Sequence, residues 1–405
     1  MENQKTPQSE NRRKRLERQR RLRIKRRRRR IIIVCCEIIM MLVLAIACYA
    51  VNILNMIQRQ DFDNIQTADF DNTQAVTVIQ NVTDEAGESE TVETVVSQEQ
   101  VLSGYTNIAV FGVDARMDEG LTSGVNGDVI MICSINNATG EIKLVSIARD
   151  MILRLMGPQT YGDYDKANSQ LAYTDVGDEL SMINKNFDLN IERYVVVNWA
   201  AVAKAIDDLG GVPDVDIFSE EFMILVNSYT DSVNRETGIW APELTSPGVQ
   251  DLTGTQAVAY CRVRYGLENG DFDRTAHQRE VVMKMFNKAK NMLVSGGLDE
   301  KAQVLNAAKG FMSNIATNLS FEEMFSLINR AANLNLTDES TSSIPQDYVT
   351  AEYVGNLSVP DPVVARDLEE EVSYLHEFLF GTVNYVPTND VKAISDDIKY
   401  LSGLY

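Results

Sequence analysis

Ile31–Val51 is an apolar run interrupted only by Glu37, and it follows fifteen Lys/Arg within residues 1–30. About 20 apolar residues at 1.5 Å rise span the hydrocarbon core of a bilayer. The run is too long for the apolar core of a typical signal peptide, and no small-residue cleavage site stands beside it. The sequence therefore predicts an uncleaved transmembrane helix over residues 31–53, which rules out a single water-soluble globule. Lys and Arg stay on the cytoplasmic side. Residues 1–30 are then a basic cytoplasmic arm, and everything after about residue 55 is extracellular. The expected location is the cell membrane, with a single pass. Glu37 lies near the cytoplasmic end, within reach of Arg27–Arg30. There it avoids the cost of a charge at the bilayer centre, on the order of 3 kcal/mol.

The net charge of −20 divides into about +12 for residues 1–30 (fifteen Lys/Arg, three Glu) and about −32 for the rest. An acidic body does not suit nucleic acid. The arm lies across the membrane from that body, so it reads as a topology and headgroup anchor rather than a DNA-binding tail. Cys35, Cys36 and Cys48 fall in the apolar run, which leaves Cys133 and Cys261 in the exported part. Both sit in apolar stretches (VIMICSI and AVAYCRV). They read as buried small hydrophobes, since two cysteines make no disulfide framework.

Residues 54–103 are rich in Asp, Glu, Gln, Thr, Asn and Ser, the composition of an acidic extracellular linker. Folded structure is expected from near Tyr105. Asn107–Val113, Asp128–Ile135, Ile142–Ile147 and Tyr194–Asn198 read as strands, and Trp199–Leu209 as a helix stopped by Gly210–Gly211. Val212–Ile217 resumes as a strand. Alternation of strands and helices indicates the α/β class. Thr253–Gln256 and Ser320–Glu323 have capping-box spacing. Asp273 is placed to cap a helix over Arg274–Val294, and further helices are expected at 300–316 and 364–380.

Chemistry concentrates in Leu252–Arg279, LTGTQAVAYCRVRYGLENGDFDRTAHQR. Arg262, Arg264, Arg274 and Arg279 crowd near Asp271, Asp273 and Gln278 in an otherwise acidic domain. The arginine fork matches phosphate oxygens and keeps its charge when partly buried. Arg274 and Gln278 are four apart and share a helix face close to free N–H groups. Ser146–Asp150 (SIARD) ends an apolar strand in Arg149, at the kind of strand end where open α/β sheets bind ligands. Asp114 and Asp128 also follow or open strands and are candidates to share Mg²⁺ or Mn²⁺ through oxygen ligands. Taken singly these features are bland: arginine pairs are usually solvated ion pairs, and a lone Asp at a strand end is usually a turn residue. His277 reads as a helix-surface histidine, and His376 has no visible partner. The combination points to phosphate or pyrophosphate.

These segments resemble the LytR-CpsA-Psr family of Gram-positive envelope enzymes over roughly residues 105–290. The resemblance is carried by NIAVFGVDAR (107–116), GDVIMI (127–132), SIARD (146–150), KAN (166–168), YVVVNW (194–199), DLGGVPDVD (208–216) and LTGTQAVAYCRVR followed by GDFDRTAHQR. It implies transfer of a glycopolymer, such as teichoic acid or capsule, from a polyprenyl-pyrophosphate carrier to peptidoglycan. A phosphodiester would form at the muramic acid 6-hydroxyl, and polyprenyl phosphate would leave. By motif, Asp114 and Asp128 would bind Mg²⁺. Arg149, Arg262, Arg264, Arg274 and Gln278 would hold the pyrophosphate. Asp271 would orient an arginine or help deprotonate the acceptor. Arg149, Arg262, Arg264 and Asp271 would thus form the catalytic set.

The sequence departs from the family at Asn126, where the family has Arg, at Val129, where it has Thr, and at Ala148, where it has Pro. Arg116 or Lys166 would have to replace the missing cation, or activity is reduced or redirected. The expected fold is a three-layer α/β/α sandwich with a central mixed sheet over residues 104–295, preceded by one transmembrane helix. Residues 296–405 are expected as a C-terminal helical extension packing on it. Two alternatives to the transferase stay open: a hydrolase of lipid-linked pyrophosphate, and a non-catalytic polyprenyl-phosphate-binding or regulatory membrane protein.

Overall fold

A computed structural model describes residues 58–404 apart from 71–74, 84–88, 116–119, 161, 331–333 and 335. The chain divides into two units, 1–56 and 57–405. The expected arm, the expected membrane helix and Arg116 lie outside the described residues. Among the described residues no helix is long and apolar enough to cross a membrane.

The strands of the central sheet are β1 (Gln58–Arg59), β2 (Tyr105–Val113), β3 (Gly127–Asn136), β4 (Ile142–Ile147), β5 (Arg193–Asn198), β6 (Ile315–Thr317) and β7 (Thr341–Ile344), in spatial order β1-β6-β5-β2-β3-β4-β7. The sheet is mixed. β2 runs parallel to β5 and antiparallel to β3, β3 is antiparallel to β4, and β4 is parallel to β7. The main helices are α1 (Val176–Phe187), α2 (Trp199–Asp208), α3 (Glu220–Thr237), α4 (Gly254–Arg262), α5 (Asp271–Val294), α6 (Leu298–Met312), α7 (Phe321–Arg330), α8 (Leu368–Phe380) and α9 (Asn389–Ser402).

Central strands buried on both faces need apolar residues at successive positions, which is why β2, β3 and β5 read as unbroken apolar runs. Ala109, Phe111, Ile130, Ile132, Val145, Tyr194 and Val196 face one way, against Leu180 and Ile183 of α1, Leu375 of α8 and Ile394 of α9. Met131, Ile135, Ile142 and Leu144 face the other way, against Met283 and Phe286 of α5. Helices thus cover both faces, giving the three expected layers. A second core gathers Trp199, Ile206, Phe222, Val226 and Tyr260 from α2, α3 and α4, together with the hairpin of Val212–Ile217 and Gly248–Leu252. Gly254 lets α4 approach α2, because a Cβ there would lie 1.9 Å from the Ala203 carbonyl oxygen. Cys133 and Cys261 are free thiols.

The structure differs from expectation at both ends of the domain. Residues 54–103 are not simply a spacer. Gln58–Arg59 is an edge strand, and Ala75–Thr83 pairs with Ser89–Ser97 as a hairpin joined by Thr382–Val383. Period-2 placement of Val76 and Val78 buries one face of that hairpin, and the polar residues between them mask the signal. Residues 296–405 are not a helical appendage either. They supply β6 and β7, and α8 and α9 complete one helical layer. Strands of three and four residues are too short to show a periodicity. α5 begins at Asp271, earlier than expected, with Gly270 as its cap at φ 55°. The Asp273 carboxylate instead accepts the Asn269 N–H at 2.9 Å.

His376 does have partners. It is fully buried, with Nδ1 2.7 Å from the Gln98 amide nitrogen, Nε2 2.9 Å from the Phe187 carbonyl, and its ring stacked 3.9 Å from Tyr385. Burial pushes its pKa down from 6.5 to about 4. The unfolded chain therefore binds this proton first. The stability from neutral His376 is present above pH 6.5 and lost as pH falls from 6.5 to about 4. That loss is on the order of 3 kcal/mol. Urea unfolding of His376→Gln should show a flatter pH dependence than wild type across that window, and an unchanged slope would remove the assignment.

Candidate active site at the open end of the sheet

β2 and β4 both run antiparallel to β3, so their carboxyl ends meet the amino end of β3 at one edge of the sheet. An irregularity after Gly112 sets Val113 opposite Gly127, so Asp114, which follows β2, and Asp128, at the start of β3, both lie at this end. Arg149 and Asp150 follow β4 at the same end. The first turn of α5 delivers Asp271 and Arg274 to it.

There the side chains form an alternating charge cluster. The Arg149 guanidinium donates to the Asp128 carboxylate, and its Nε lies 3.5 Å from Asp150 and 3.8 Å from Asp271. Arg274 Nη2 donates to Asp271 Oδ2 at 3.1 Å and to the Asp128 carbonyl at 3.3 Å. Lys166 Nζ lies 3.1 Å from Asp150. These side chains are 5–18% exposed. Three cations thus face three carboxylates with little water between them. Several polar atoms keep no hydrogen-bond partner: Nε of Arg149 and of Arg274, Oδ1 of Asp271 and Oε1 of Gln278. Asp271 Oδ1 is 2.9 Å from Arg274 Nη2, a contact of charge without hydrogen-bond direction. Buried donors left unmet cost energy, so they favour an incoming anion.

Burial raises the Asp271 pKa above the ordinary carboxylate value, against the opposing pull of Arg274 and Arg149. Burial would lower Arg149, but Asp150, Asp128 and Asp271 outweigh it and hold its pKa above the usual value. Arg274 is lowered, by burial first and despite Asp271.

The remaining expected site residues are placed differently. The Arg264 guanidinium lies over the Tyr265 ring, 4.5 Å from its centroid, and near enough to Asp271 to act on its charge. Arg262 turns to Glu236 of α3 and lies 5.9 Å over Trp199. Gln278 is buried and donates to the Cys261 carbonyl at 3.2 Å, tying α5 to α4. His277 is not a surface histidine. Its ring packs 4.2 Å from Tyr260 and 5.5 Å from Phe222, and burial lowers its pKa. Arg279 keeps a buried Nη1 without a partner, and burial brings its pKa down to about 10. Asn126 is exposed. Lys166 is the cation that the fold brings into the cluster, and its only sequence signal was its place in KAN.

Among the described residues no three His, Cys, Asp or Glu side chains group into a metal cage. Asp114 and Asp128, the two residues expected to bind Mg²⁺, both lie at this end of the sheet.

Residues 70–363 match the LytR_cpsA_psr family. The chain belongs to that family. It is 27% identical over 223 residues to Biofilm regulatory protein A of Streptococcus mutans, a match covering 53% of this chain and 51% of the relative. It is 26% identical over 222 residues to a polyisoprenyl-teichoic acid–peptidoglycan teichoic acid transferase, TagU, of Bacillus licheniformis, covering 55% of this chain and 62% of the relative. The chain thus spans between about half and two thirds of the length of these relatives. Among solved structures, protein gbs0355 of Streptococcus agalactiae shares the fold, with a TM-score of 0.52 at 21% identity, over 69% of this chain and 89% of that one.

Arg274→Ala would leave the Asp271 carboxylate buried with only the more distant charges of Arg149 and Arg264. We expect a loss of about 3 kcal/mol at pH 8. Protonation of Asp271 removes the stranded charge, so the loss should shrink at pH 5. Chemical unfolding at the two pH values checks this, and equal losses would contradict it.

Proposed function

We propose that this protein transfers a glycopolymer, of teichoic acid or capsule type, from a polyprenyl-pyrophosphate carrier to peptidoglycan at the outer face of a membrane. The observation that carries the reading is the alternating cluster of Arg149, Arg274 and Lys166 with Asp128, Asp150 and Asp271 at the open sheet end. The printed name of the TagU relative, a teichoic acid transferase acting toward peptidoglycan, supports it.

In this reading the pyrophosphate takes over the unmet donors of Arg149 and Arg274, with Arg264 beside them. Phosphoryl transfer asks for positioning and charge neutralisation more than for covalent help from the protein. A sugar hydroxyl of peptidoglycan attacks the phosphorus that carries the glycopolymer. The P–O–P bond breaks, and polyprenyl phosphate leaves with the electron pair. Asp271, with its raised pKa, is suited to accept the hydroxyl proton. Asp114 and Asp128 would hold Mg²⁺, which supplies further neutralisation of phosphate charge when bound. Lys166 offsets the cation missing at Asn126.

The test is a transfer assay with the full-length protein in nanodiscs, Mg²⁺, a synthetic polyprenyl-pyrophosphate saccharide and peptidoglycan oligomers, read by mass spectrometry. A phosphodiester-linked product is expected, falling roughly 100-fold or more in Arg149→Ala. Free sugar phosphate alone would replace transfer by hydrolysis. The engagement of Arg262 by Glu236 and the exposed Asn126 favour a second reading, a non-catalytic lipid-binding protein. Retained lipid with no turnover would establish it.

The metal assignment has its own measurement. Mn²⁺ affinity in the presence of pyrophosphate, followed by electron paramagnetic resonance, should weaken at least about tenfold in Asp114→Asn and in Asp128→Asn, the change expected for losing one of few protein ligands. Unchanged affinity would place the ion elsewhere.

A further inference from the structure

A cavity of about 680 Å³ opens beside the charge cluster, and none of Arg149, Arg274, Asp128 and Asp271 lines it. It is joined to the cluster by one short strand, Tyr164–Lys166. Lys166 reaches Asp150, while Tyr164 and Asp165 line the cavity. Its size falls in the range of about 300–1,000 Å³ typical of small-ligand sites.

The lining has a definite chemistry. Leu155, Leu357 and Leu401 contribute apolar surface, and Tyr164, Tyr173 and Tyr400 contribute rings. Tyr173 and Tyr400 are 56% and 66% exposed, so their rings stand free for a ligand. Asp163, Asp165 and Asp397 contribute carboxylates, and Tyr164 donates to Asp397 at 2.7 Å while Tyr173 donates to Asp165 at 3.3 Å. None of the described lining residues is basic. Arg154 stands at its edge, against Gly162 and near Tyr164, but the three carboxylates outnumber it, so a phosphate-bearing polymer would meet net repulsion here. A lipid tail would bury carboxylates against hydrocarbon at high cost. A pyranose suits all three features: its C–H face lies on a tyrosine ring, and its hydroxyls donate to carboxylates that only accept.

We propose that this cavity is a subsite for an uncharged saccharide chain, the acceptor glycan of the transfer reaction. The assignment to the acceptor rests on the transfer reading above, whereas saccharide binding does not. The cavity holds the chain on the side of the cluster opened by Lys166, away from the arginines that receive the phosphate-bearing donor. Donor and acceptor are thereby sorted by charge: the anionic partner goes to the arginines and the neutral one to the tyrosine–carboxylate wall.

The test is binding of uncharged β-1,4-linked N-acetylglucosamine oligomers to the full-length protein, measured by calorimetry without any donor. Tyr173→Ala, Tyr400→Ala and Asp397→Asn should each weaken binding at least tenfold. The two tyrosines are exposed, so their loss should leave the melting temperature unchanged. Arg149→Ala should bind the oligomers as wild type does. In the transfer assay, Tyr173→Ala should raise KM for the acceptor at least tenfold. Absence of oligomer binding, or binding unchanged in all three cavity variants, would overturn the proposal. So would spermidine occupying the cavity in place of the saccharide, which would make it a site for cations. Oligomer binding lost in the variants while wild type shows no transfer would keep the saccharide site and remove the acceptor role, so the two readings fail separately.

Discussion

The structure of the candidate site depends on one constraint: several charges with little exposure must each meet an opposite charge. Removing a carboxylate or guanidinium from water costs several kcal/mol, and only a close, well-directed partner offsets it. Arg149 sits between Asp128, Asp150 and Asp271, and Arg274 is held by Asp271 and by the Asp128 carbonyl. These residues come from β3, the end of β4 and the start of α5. Their mutual fit is therefore a statement about sheet register. A one-residue slip of β3 would turn Asp128 to the opposite face and strand Arg149. The close approach of Gly112 to Val129, where a Cβ would lie 2.8 Å from the valine, helps fix that register.

The same balance explains how a cluster of poorly exposed cations can exist in an acidic body. A cluster of cations alone would repel itself. Carboxylates interleaved with arginines and lysine keep the cluster near neutrality and hold each guanidinium in place. The cost is that Nε of Arg149 and of Arg274 remain without hydrogen-bond partners. In the proposed transfer, an incoming phosphate would answer those donors and share the guanidinium charge with the carboxylates. Preorganisation of this kind is what phosphoryl transfer uses.

Much of the framework could be read from the chain. β4 was expected at its observed bounds, and β2, β3, β5 and α2 to within two residues, because long apolar runs with glycine or polar ends carry strong local signals. Thr253–Gln256 forms the capping box its spacing indicated. Local patterns were silent where the element was short or its apolar residues were diluted by polar ones. β6, β7 and the hairpin of Ala75–Ser97 are of that kind, and their pairing partners are distant in sequence. The site was legible as residue types: Arg149, Arg274, Asp128 and Asp271 were all candidates. Spacing could not show that Arg262 turns to Glu236, that Gln278 ties α5 to α4, or that His277 packs on Tyr260.

The sequence by itself determined the α/β class and the family to which the chain belongs, since both rest on local runs and motif spacing. It also determined that arginines and aspartates would dominate any site. Only the tertiary structure decided which of these charges meet. It also decided that Lys166 joins the cluster and that Tyr400, distant in the chain, lines one cavity with Tyr164 and Tyr173. The physical reason is that a charge pair or a cavity wall depends on distances across the fold. Those distances are set by sheet register and helix packing, which no local stretch of sequence contains.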